Sequence, residues 1–371
     1  MTANLRQAAG NLLVVGLSGA ELTGMERAWL KLVRPAGIIL FRRNIKDPSQ
    51  TRALLAEASA LGSAHSMLCV DVEGGTVDRL RDALAPMPSV QAVAHAAVRT
   101  GSPGLTREHG ELVARAVKAF GFNTALAPVL DLALPDSAQI MGTRTAAATG
   151  AGVVAYARGF LAGLSAQGVV GCGKHFPGLG GGQSDSHLVT PIIRRSYRDL
   201  WSEDLLPYRE LSDELPMIMM DHAAYPDTPS RRRPASASPF WIATVLRKRI
   251  GYRGLIFSDD LEMGGILKFM PIGEAAIEAL RAGTDLLEIC HTAEQVLLVF
   301  EALIAEGERS AAFRRVLFSR ARQTDKMRAK LFSKQIPRAL SGQQFEALRN
   351  RIVRFGATIS RASSTSENPS A

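Results

Sequence analysis

The chain has 371 residues, of which 46% are hydrophobic, and this combination indicates a globular protein with a large buried core. No stretch approaches the roughly 18 to 20 apolar residues of a membrane span, and the first residues lack a secretory leader pattern, so we expect a cytoplasmic protein without a membrane segment. The net charge of +9 is concentrated in residues 309–371, which hold 14 basic and 3 acidic residues, whereas residues 1–308 carry a net charge of −2, which argues against nucleic-acid binding by the main domain.

Eight short apolar runs alternate with helix-forming segments between residues 11 and 305. They are NLLVVGL (11–17), GIILF (37–41), SMLCV (66–70), FNTALA (122–127), VVGCG (169–173), MIMM (217–220), GLIFS (254–258) and TDLLEI (284–289). The segments between them, such as SYRDLWSEDLLPYREL and EAAIEALRAG, have the residue spacing of amphipathic helices. Eight strands that are each followed by a helix predict an α/β fold of the (β/α)8 TIM-like barrel type, formed by residues 1–307 as a single domain.

Charged residues follow four of these strands at the point where each strand ends. They are Asp71 and Glu73 after the third strand, Lys174 and His175 after the fifth, Asp221 and His222 after the sixth, and Asp259 and Asp260 after the seventh. In a barrel of parallel strands these ends meet on one face, which is where the active sites of this fold lie. We therefore expect these side chains to form a single pocket.

The three cysteines predict neither a disulfide framework nor a metal site. Cys69, Cys172 and Cys290 each lie in an apolar run that resembles a strand, where a reduced and buried thiol is the ordinary state. Their odd number argues against a set of disulfide bonds, and they form no Cys-x-x-Cys or Cys/His cluster. We expect neither a metal ion nor a cofactor.

The C-terminal part of the chain is predicted to be a basic helical extension, residues 308–360, followed by a disordered tail, residues 361–371. Its segments RSAAFRRVLFSRARQTDKMRAKLFSK and FEALRNRIVRFGATI combine apolar residues at helical spacing with arginine and lysine. Two alternatives stay open for this extension. Its helices can pack on the main domain with their charges in solvent, or they can contact polyanions or a membrane surface.

Several motifs, taken together and in chain order, resemble glycoside hydrolase family 3, in particular its single-domain β-N-acetylglucosaminidases. The matching runs are GIILFRRNI, VDVEGGTVDRL, NTALAPVLD, MGTRT, GKHFPGLGGGQSDSHLVTP, DHAAYP, PFWIATVLRKRIGYRGLIFSDDLEMGGI and ALRAGTDLLEIC. They span nearly the whole predicted barrel, which makes it a catalytic domain. The resemblance implies a retaining glycosidase that acts on a carbohydrate with a terminal β-linked N-acetylglucosamine, such as a peptidoglycan fragment.

The resemblance also assigns the catalytic residues. A retaining glycosidase needs a carboxylate nucleophile and a second group that acts first as an acid and then as a base. The nucleophile would be Asp259, and the acid/base would be His187, oriented by Asp185 in the glycine-rich loop. Histidine titrates near neutral pH, which suits both roles. From the residues alone, Asp260 is better explained as the cap of a following helix, and DSH can be a loop-closing turn.

The sugar-binding residues follow from the same resemblance. They are Asp71, Arg79, Arg144, Lys174 and His175. Charged donors and acceptors fix the orientation of sugar hydroxyls. The two arginines can alternatively form ion pairs across the barrel rim, and Glu73 is expected to be structural.

The sequence departs from the family pattern in the region that would contact the aglycone. Leu179 stands where a histidine is common, and glycines replace more polar residues at 181 and 182. Val72 replaces a glutamine, and Asp221 replaces a small residue. None of these changes removes a catalytic position, but together they leave the outer subsite undefined.

Four other functions are alternatives to a retaining β-N-acetylglucosaminidase. A metal-dependent barrel hydrolase is disfavoured because Lys174 lies beside the site and no His-x-His pattern is present. A non-catalytic sugar-binding protein is disfavoured because both catalytic positions are retained. A β-glucosidase or β-xylosidase stays open, and so does a phosphorylase, because a histidine acid/base bears no negative charge that would repel phosphate.

Overall fold

The computed structural model describes residues 2–182, 190–332 and 336–364. Within them, eight parallel strands close into a barrel in which neighbours follow the order of the chain. The strands are β1 (Leu13–Gly16), β2 (Gly37–Leu40), β3 (Met67–Val70), β4 (Thr124–Ala125), β5 (Val170–Phe176), β6 (Met217–Met220), β7 (Leu255–Asp260) and β8 (Leu286–Ile289). Each strand overlaps one of the eight apolar runs, and the predicted TIM-like barrel is confirmed.

The barrel closes through the pairing of β1 with β8, in which Leu13 lies opposite Leu287 and Val15 opposite Ile289. Every strand is buried on both faces, because one face lines the barrel interior and the other meets the surrounding helices. This double burial explains why the strands are continuous apolar runs rather than alternating ones.

The barrel interior is filled by every second residue of the strands. Its side chains are Val14, Ile39, Met67, Cys69, Leu126, Val170, Cys172, Met217, Met219, Leu255, Phe257, Leu286 and Cys290. The three cysteines are free and buried, as the sequence predicts. The alternate residues of the strands, such as Val15 and Ile256, belong to the larger core between the barrel and its helices.

The helices form the outer layer. They are α1 (Thr2–Gly10), α2 (Gly24–Val33), α3 (Pro48–Leu61), α4 (Val90–Thr100), α5 (Gly104–Ala119), α6 (Ala138–Met141), α7 (Gly150–Ala166), α8 (Tyr197–Asp199), α9 (Leu206–Glu210), α10 (Gly264–Leu267), α11 (Ile272–Ala282), α12 (Ala293–Arg309), α13 (Ala311–Leu331) and α14 (Gly342–Ser364), with π-helical turns at Leu200–Asp204 and Phe240–Ile250. Local sequence sets several of their ends. Helix α2, for example, begins with a capping box in which Thr23 and Glu26 bond each other's backbone amides.

A two-stranded ribbon follows β3 and carries residues of the cavity described below. It pairs Val72–Gly74 with Val77–Asp78 in antiparallel orientation. Its turn needs glycine, because Gly74 has a φ of +101° and an added Cβ would lie 2.1 Å from the carbonyl oxygen of Pro88. The EGG motif therefore serves a backbone requirement beside the site.

The basic extension packs against the barrel. Phe332, at the end of α13, joins the interior cluster, and Met327 and Leu331 pack against it. The Arg328 side chain is 0% exposed and donates hydrogen bonds to the carbonyl oxygens of Ala36, Ala64 and His65, which precede β2 and β3. Helix α13 thus covers the end of the barrel at which the strands begin.

Helix α14 packs on α4 and α5 and buries four apolar side chains, those of Leu348, Ile352, Phe355 and Ile359. It continues to residue 364. No helix within residues 2–182, 190–332 and 336–364 is long and apolar enough to cross a membrane.

Candidate active site

A cavity of about 320 Å³ lies at the end of the barrel where the strands finish. Five of its lining residues lie near or just after the ends of barrel strands, namely Phe41, Asp71, Lys174, Asp259 and Glu288. The other lining residues include His175, within β5, and Arg79, Arg144 and Leu179, outside the barrel strands. All six described residues of the predicted site therefore line one cavity: Asp71, Arg79, Arg144, Lys174, His175 and Asp259.

One wall of the cavity is a network of buried ion pairs. The Lys174 Nζ atom lies 2.8 Å from Asp71 Oδ1 and 2.7 Å from Glu73 Oε1. Arg144 donates two hydrogen bonds to the Glu73 carboxylate, from Nε at 2.8 Å and from Nη2 at 2.9 Å. Arg79 lies 3.6 Å from Asp71. Glu73 thus holds two of the predicted sugar-binding cations in place.

The network keeps its carboxylates ionised in spite of their burial. Burial alone would raise the pKa of Glu73, but the charges of Arg144 and Lys174, with their hydrogen bonds, lower that pKa well below its ordinary value. Burial would also raise the pKa of Asp71, and the charges of Lys174 and Arg79 outweigh it in the same way. Asp71 and Glu73 in turn raise the pKa of Lys174 above its usual value, against the effect of burial. The wall therefore presents fixed charges that suit sugar hydroxyls.

A second wall contains a histidine that is fixed by a buried carboxylate. Asp131 Oδ2 lies 2.7 Å from His175 Nδ1, and Asp131 Oδ1 accepts the backbone amide of Leu179 at 2.7 Å. This pairing leaves the Nε2 atom of His175 for a ligand. The sequence analysis missed Asp131, although it follows β4 in the run NTALAPVLD and the strand-end rule applies to it.

Asp259 lies near the end of β7 and is partly exposed in the cavity. Its Oδ1 atom accepts the backbone amide of Asp260 at 2.9 Å, and no described residue forms an ion pair with it. Its position on a barrel strand holds the carboxylate rigidly. The proposed helix cap at Asp260 is wrong: Asp260 bonds the amide of Glu262 within a turn, and α10 begins later, at Gly264.

Asp221 and His222 do not join the cavity, and the expectation that all four strand ends contribute is wrong for β6. The Asp221 carboxylate accepts the amide of Ala223 at 2.8 Å and the hydroxyl of Tyr225 at 2.6 Å. The ring of His222 bonds the hydroxyl of Ser236 and the carbonyl oxygen of Asp260. The chain turns immediately after β6, so both side chains satisfy local backbone and loop groups instead.

Strand β8 supplies part of the cavity floor, and the sequence analysis did not identify these residues. Glu288 and Cys290 lie on the floor, and His291 follows them, with its Nε2 atom 3.2 Å from Asp260 Oδ2. The His291 ring stacks on Phe41 with ring centroids 5.7 Å apart. The signal was available, because residues 286, 288 and 290 share the inward alternation of the strand.

The predicted acid/base residues His187 and Asp185 lie outside the described residues. Before this segment, Leu179 lines the cavity. After it, Thr190 donates a hydrogen bond to the carbonyl oxygen of Gly265, two residues after the cavity residue Met263.

Comparison with known proteins gives a consistent result. Residues 4–318 match the model of the glycosyl hydrolase family 3 N-terminal domain. A β-hexosaminidase from Methylococcus capsulatus is 39% identical over 292 residues, which make up 77% of this chain and 85% of that protein. A β-hexosaminidase from Alkalilimnicola ehrlichii is 37% identical over 294 residues, with 78% of this chain and 84% of that protein covered.

Solved structures with this fold include two with related chemistry. A glycoside hydrolase family 3 β-N-acetylglucosaminidase from Paenibacillus sp. has a TM-score of 0.84 and 28% identity, covering 95% of this chain and 68% of that one. NagZ from Neisseria gonorrhoeae, in complex with N-trifluoroacetyl-D-glucosamine, has a TM-score of 0.75 and 28% identity, covering 96% and 98% of the two chains. The chain therefore belongs to glycoside hydrolase family 3, among its β-hexosaminidases, and is a glycoside hydrolase.

Proposed function

We propose that this enzyme is a retaining β-N-acetylglucosaminidase that removes terminal, non-reducing β-linked N-acetylglucosamine. The observation that carries the proposal is the position of Asp259, a carboxylate on a barrel strand that lines the same cavity as the Asp71, Lys174 and Arg144 network. The relatives named β-hexosaminidase and β-N-acetylglucosaminidase support the choice of sugar. Neither a metal ion nor a cofactor is needed for this chemistry.

In the first half of the reaction, Asp259 attacks the anomeric carbon of the bound sugar. A bond forms between its carboxylate oxygen and that carbon, and the bond to the leaving oxygen breaks. His187 gives its proton to the leaving oxygen. The hydrogen bond from the Asp260 amide to Asp259 Oδ1 restricts rotation of the carboxylate and favours attack by Oδ2.

In the second half, His187 takes a proton from water, and the water oxygen attacks the same carbon and releases Asp259. Two inversions leave the sugar with its original β configuration. Asp185 supports the charged imidazole during both steps, as a paired carboxylate does for a catalytic histidine.

The charged wall holds the sugar during both steps. Asp71 accepts hydrogen bonds from sugar hydroxyls, and Lys174, Arg79, Arg144 and His175 donate to sugar oxygens. Because each of these donors already contacts a carboxylate of the protein at 2.7 to 3.6 Å, little rearrangement is needed when the sugar binds.

The natural substrate we propose is a peptidoglycan fragment with a terminal N-acetylglucosamine, hydrolysed in the cytoplasm during recycling of the cell wall. The experiment measures hydrolysis of 4-nitrophenyl β-glycosides of N-acetylglucosamine, glucose and xylose, and of N-acetylglucosaminyl-anhydromuramic acid. We expect the N-acetylglucosaminide to give the highest kcat/KM and the muramic fragment to be cleaved. A preference for glucose or xylose would contradict the proposed sugar, and failure on the muramic fragment would contradict the proposed substrate.

Two controls separate the remaining alternatives. Turnover is compared with and without phosphate, and the product is analysed for the sugar 1-phosphate, which a phosphorylase forms and a hydrolase does not. Activity is also measured after treatment with a chelator, which should leave it unchanged.

A further inference from the structure

Glu288 is a buried carboxyl group on the floor of the cavity, and the proposed reaction does not use it. It lies on β8 and is 3% exposed. It shares the inward face of the strand with Leu286 and Cys290, which belong to the barrel interior. Asp259, Asp260 and Glu288 line the same cavity, and the register of β7 and β8 pairs Glu288 with Asp260, the residue that follows Asp259.

One oxygen of this carboxyl group has no hydrogen-bond partner among the described residues. Its Oε1 atom is 3.1 Å from the thiol of Cys290, which is a weak donor. Its Oε2 atom is buried, and no residue in the described part of the chain forms a hydrogen bond with it. Buried polar atoms in folded proteins almost always have a hydrogen-bond partner. Because the Glu288 side chain lines the substrate cavity, a group on the ligand is the partner we infer for this oxygen.

The surroundings of Glu288 determine what kind of hydrogen bond it makes. Burial raises the pKa of Glu288 well above its ordinary value, and the negative charges of Asp259, Asp260 and Asp71 raise it further. These surroundings, with no cation of the described residues in contact with Glu288, favour the protonated and neutral form of its carboxyl group. Because Oε1 accepts from Cys290, the proton resides on Oε2, which makes Oε2 a donor to an oxygen atom of the ligand.

We propose that Glu288 is a specificity-determining residue that donates a hydrogen bond to the carbonyl oxygen of the acetamido group on carbon 2 of the sugar. This inference rests on the proposed function, because it takes N-acetylglucosamine as the sugar and Asp259 as the nucleophile. It assigns recognition of the acetamido group, which distinguishes this sugar from glucose, to a residue of β8.

The position of Glu288 close to Asp259 indicates that Glu288 contacts the substituent on carbon 2 of the sugar. Asp259 must lie under the anomeric carbon, so a neighbouring floor residue meets what is attached nearest to that carbon. Carbon 2 is bonded directly to it and carries the acetamido group. On the other side stands the ring oxygen, which becomes positively charged in the transition state and does not accept from a donor, and the hydroxymethyl group is two atoms further away.

The test compares two substrates that differ only at carbon 2, the 4-nitrophenyl β-glycosides of N-acetylglucosamine and of glucose. Glu288→Leu keeps the size of the side chain and removes its donor, whereas Glu288→Gln keeps the shape and retains an amide donor. Asp221→Asn is the matched control, because Asp221 is also a buried acid of raised pKa at a strand end but lies outside the cavity. Thermal melting verifies that each variant is folded.

We expect Glu288→Leu to lower kcat/KM for the N-acetylglucosaminide by about 10-fold or more, and that for the glucoside by less than about 3-fold. The carbonyl oxygen of the acetamido group lies further from the sugar ring than the 2-hydroxyl oxygen of the glucoside. A Glu288 donor positioned to reach the carbonyl oxygen therefore does not bind the 2-hydroxyl group equally well. Glu288→Gln should stay within about 3-fold of the wild type on both substrates. Asp221→Asn should leave the ratio of the two substrates unchanged.

Three results would overturn the inference. Equal losses on both sugars would mean that Glu288 acts on the reacting centre, as would a loss confined to substrates with poor leaving groups. Equal behaviour of the Leu and Gln variants would mean that no hydrogen bond is involved.

Binding separates this inference from the proposed function. Calorimetry with N-acetylglucosamine and with glucose measures the preference at carbon 2 without any reaction. If the wild type binds N-acetylglucosamine more tightly than glucose but hydrolyses neither glycoside, the proposed function fails, and loss of the binding preference in Glu288→Leu still supports the role of Glu288. If the wild type binds both sugars equally, the role of Glu288 is refuted.

Discussion

The ion-pair wall of the cavity allows a quantitative prediction for Glu73→Gln. The Glu73 side chain is 0% exposed and contacts Lys174 at 2.7 Å and Arg144 at 2.8 Å. The network contains two carboxylates and three cations in contact, namely Asp71 and Glu73 with Lys174, Arg144 and Arg79. The substitution keeps the shape of the side chain but leaves three buried or half-buried cations with a single carboxylate.

Removing one partner from a buried ion pair costs about 3 to 5 kcal/mol, because the remaining charge stays buried without compensation. For a chain of 371 residues, an unfolding entropy of about 2.1 cal/mol/K per residue makes this a fall in melting temperature of about 4 to 6 °C. We also expect kcat/KM to fall about 10- to 100-fold, because Arg144 and Lys174 lose the group that orients them.

The pH dependence of the difference has a definite sign. The folded-state pKa of Glu73 lies below its ordinary value, so the stability that its charge provides is present above about pH 4.3 and is lost as the pH falls toward the folded-state pKa. The difference in melting temperature between the wild type and Glu73→Gln should therefore be largest near neutral pH. It should shrink as the pH falls from about 5 to about 3.

The assay is thermal melting at several pH values together with kinetics on the N-acetylglucosaminide. Glu108→Gln is a suitable control, because Glu108 forms a half-exposed pair with Arg351 at 3.0 Å and should change stability by less than about 1 kcal/mol. A melting temperature of Glu73→Gln within about 1 °C of the wild type would refute the stabilising role of the Glu73 ion pairs. A difference in melting temperature that grows toward low pH would refute it as well.

The remaining predictions concern catalysis and the C-terminal helices. Asp259→Ala should lower kcat about 10⁴-fold or more on every substrate, because it removes the carboxylate that forms the glycosyl-enzyme, and any azide product should have the α configuration. His187→Ala should still release activated aryl groups, accumulate the intermediate and be accelerated by azide with a β-glycosyl azide as product; equal losses on activated and unactivated substrates without azide rescue would count against it. Truncation after residue 340 should lower the melting temperature but leave turnover per folded molecule intact, since all cavity residues precede that point; selective loss of turnover in folded protein would disprove this. Arg328→Met should destabilise the fold by about 3 kcal/mol through unpaired carbonyl groups and leave KM unchanged, and a change in KM without loss of stability would contradict the structure.

The barrel and most of its site follow from the sequence for simple physical reasons. Continuous apolar runs are required of strands buried on both faces, and parallel strands bring their ends to one side. Asp71, Lys174 and Asp259 therefore come together without any further information. A strand-end rule alone does not show which way a side chain points, and Asp221 was misplaced because the chain turns directly after β6.

The residues that were missed required tertiary information or closer attention to alternation. Asp131 lies six residues after the end of β4, and its function depends on its buried hydrogen bond with His175. Glu288 follows the inward alternation of β8 and was identifiable from it. In a strand that is apolar on both faces, however, the sequence does not show which residues point inward. Only the folded structure shows that its Oε2 atom has no hydrogen-bond partner in the described part of the chain.

The contact of Phe332 with the barrel interior has a consequence for how this protein is made. The last strand ends at Ile289, yet the apolar side chains inside the barrel stay open to water at the end where the strands begin until α13 and Phe332 arrive. Domains usually fold as their chain leaves the ribosome, and open apolar surface favours aggregation. A nascent chain that stopped at residue 318, where the family match ends, would contain every strand and still expose its interior, so we expect stable folding only after residue 332 has emerged.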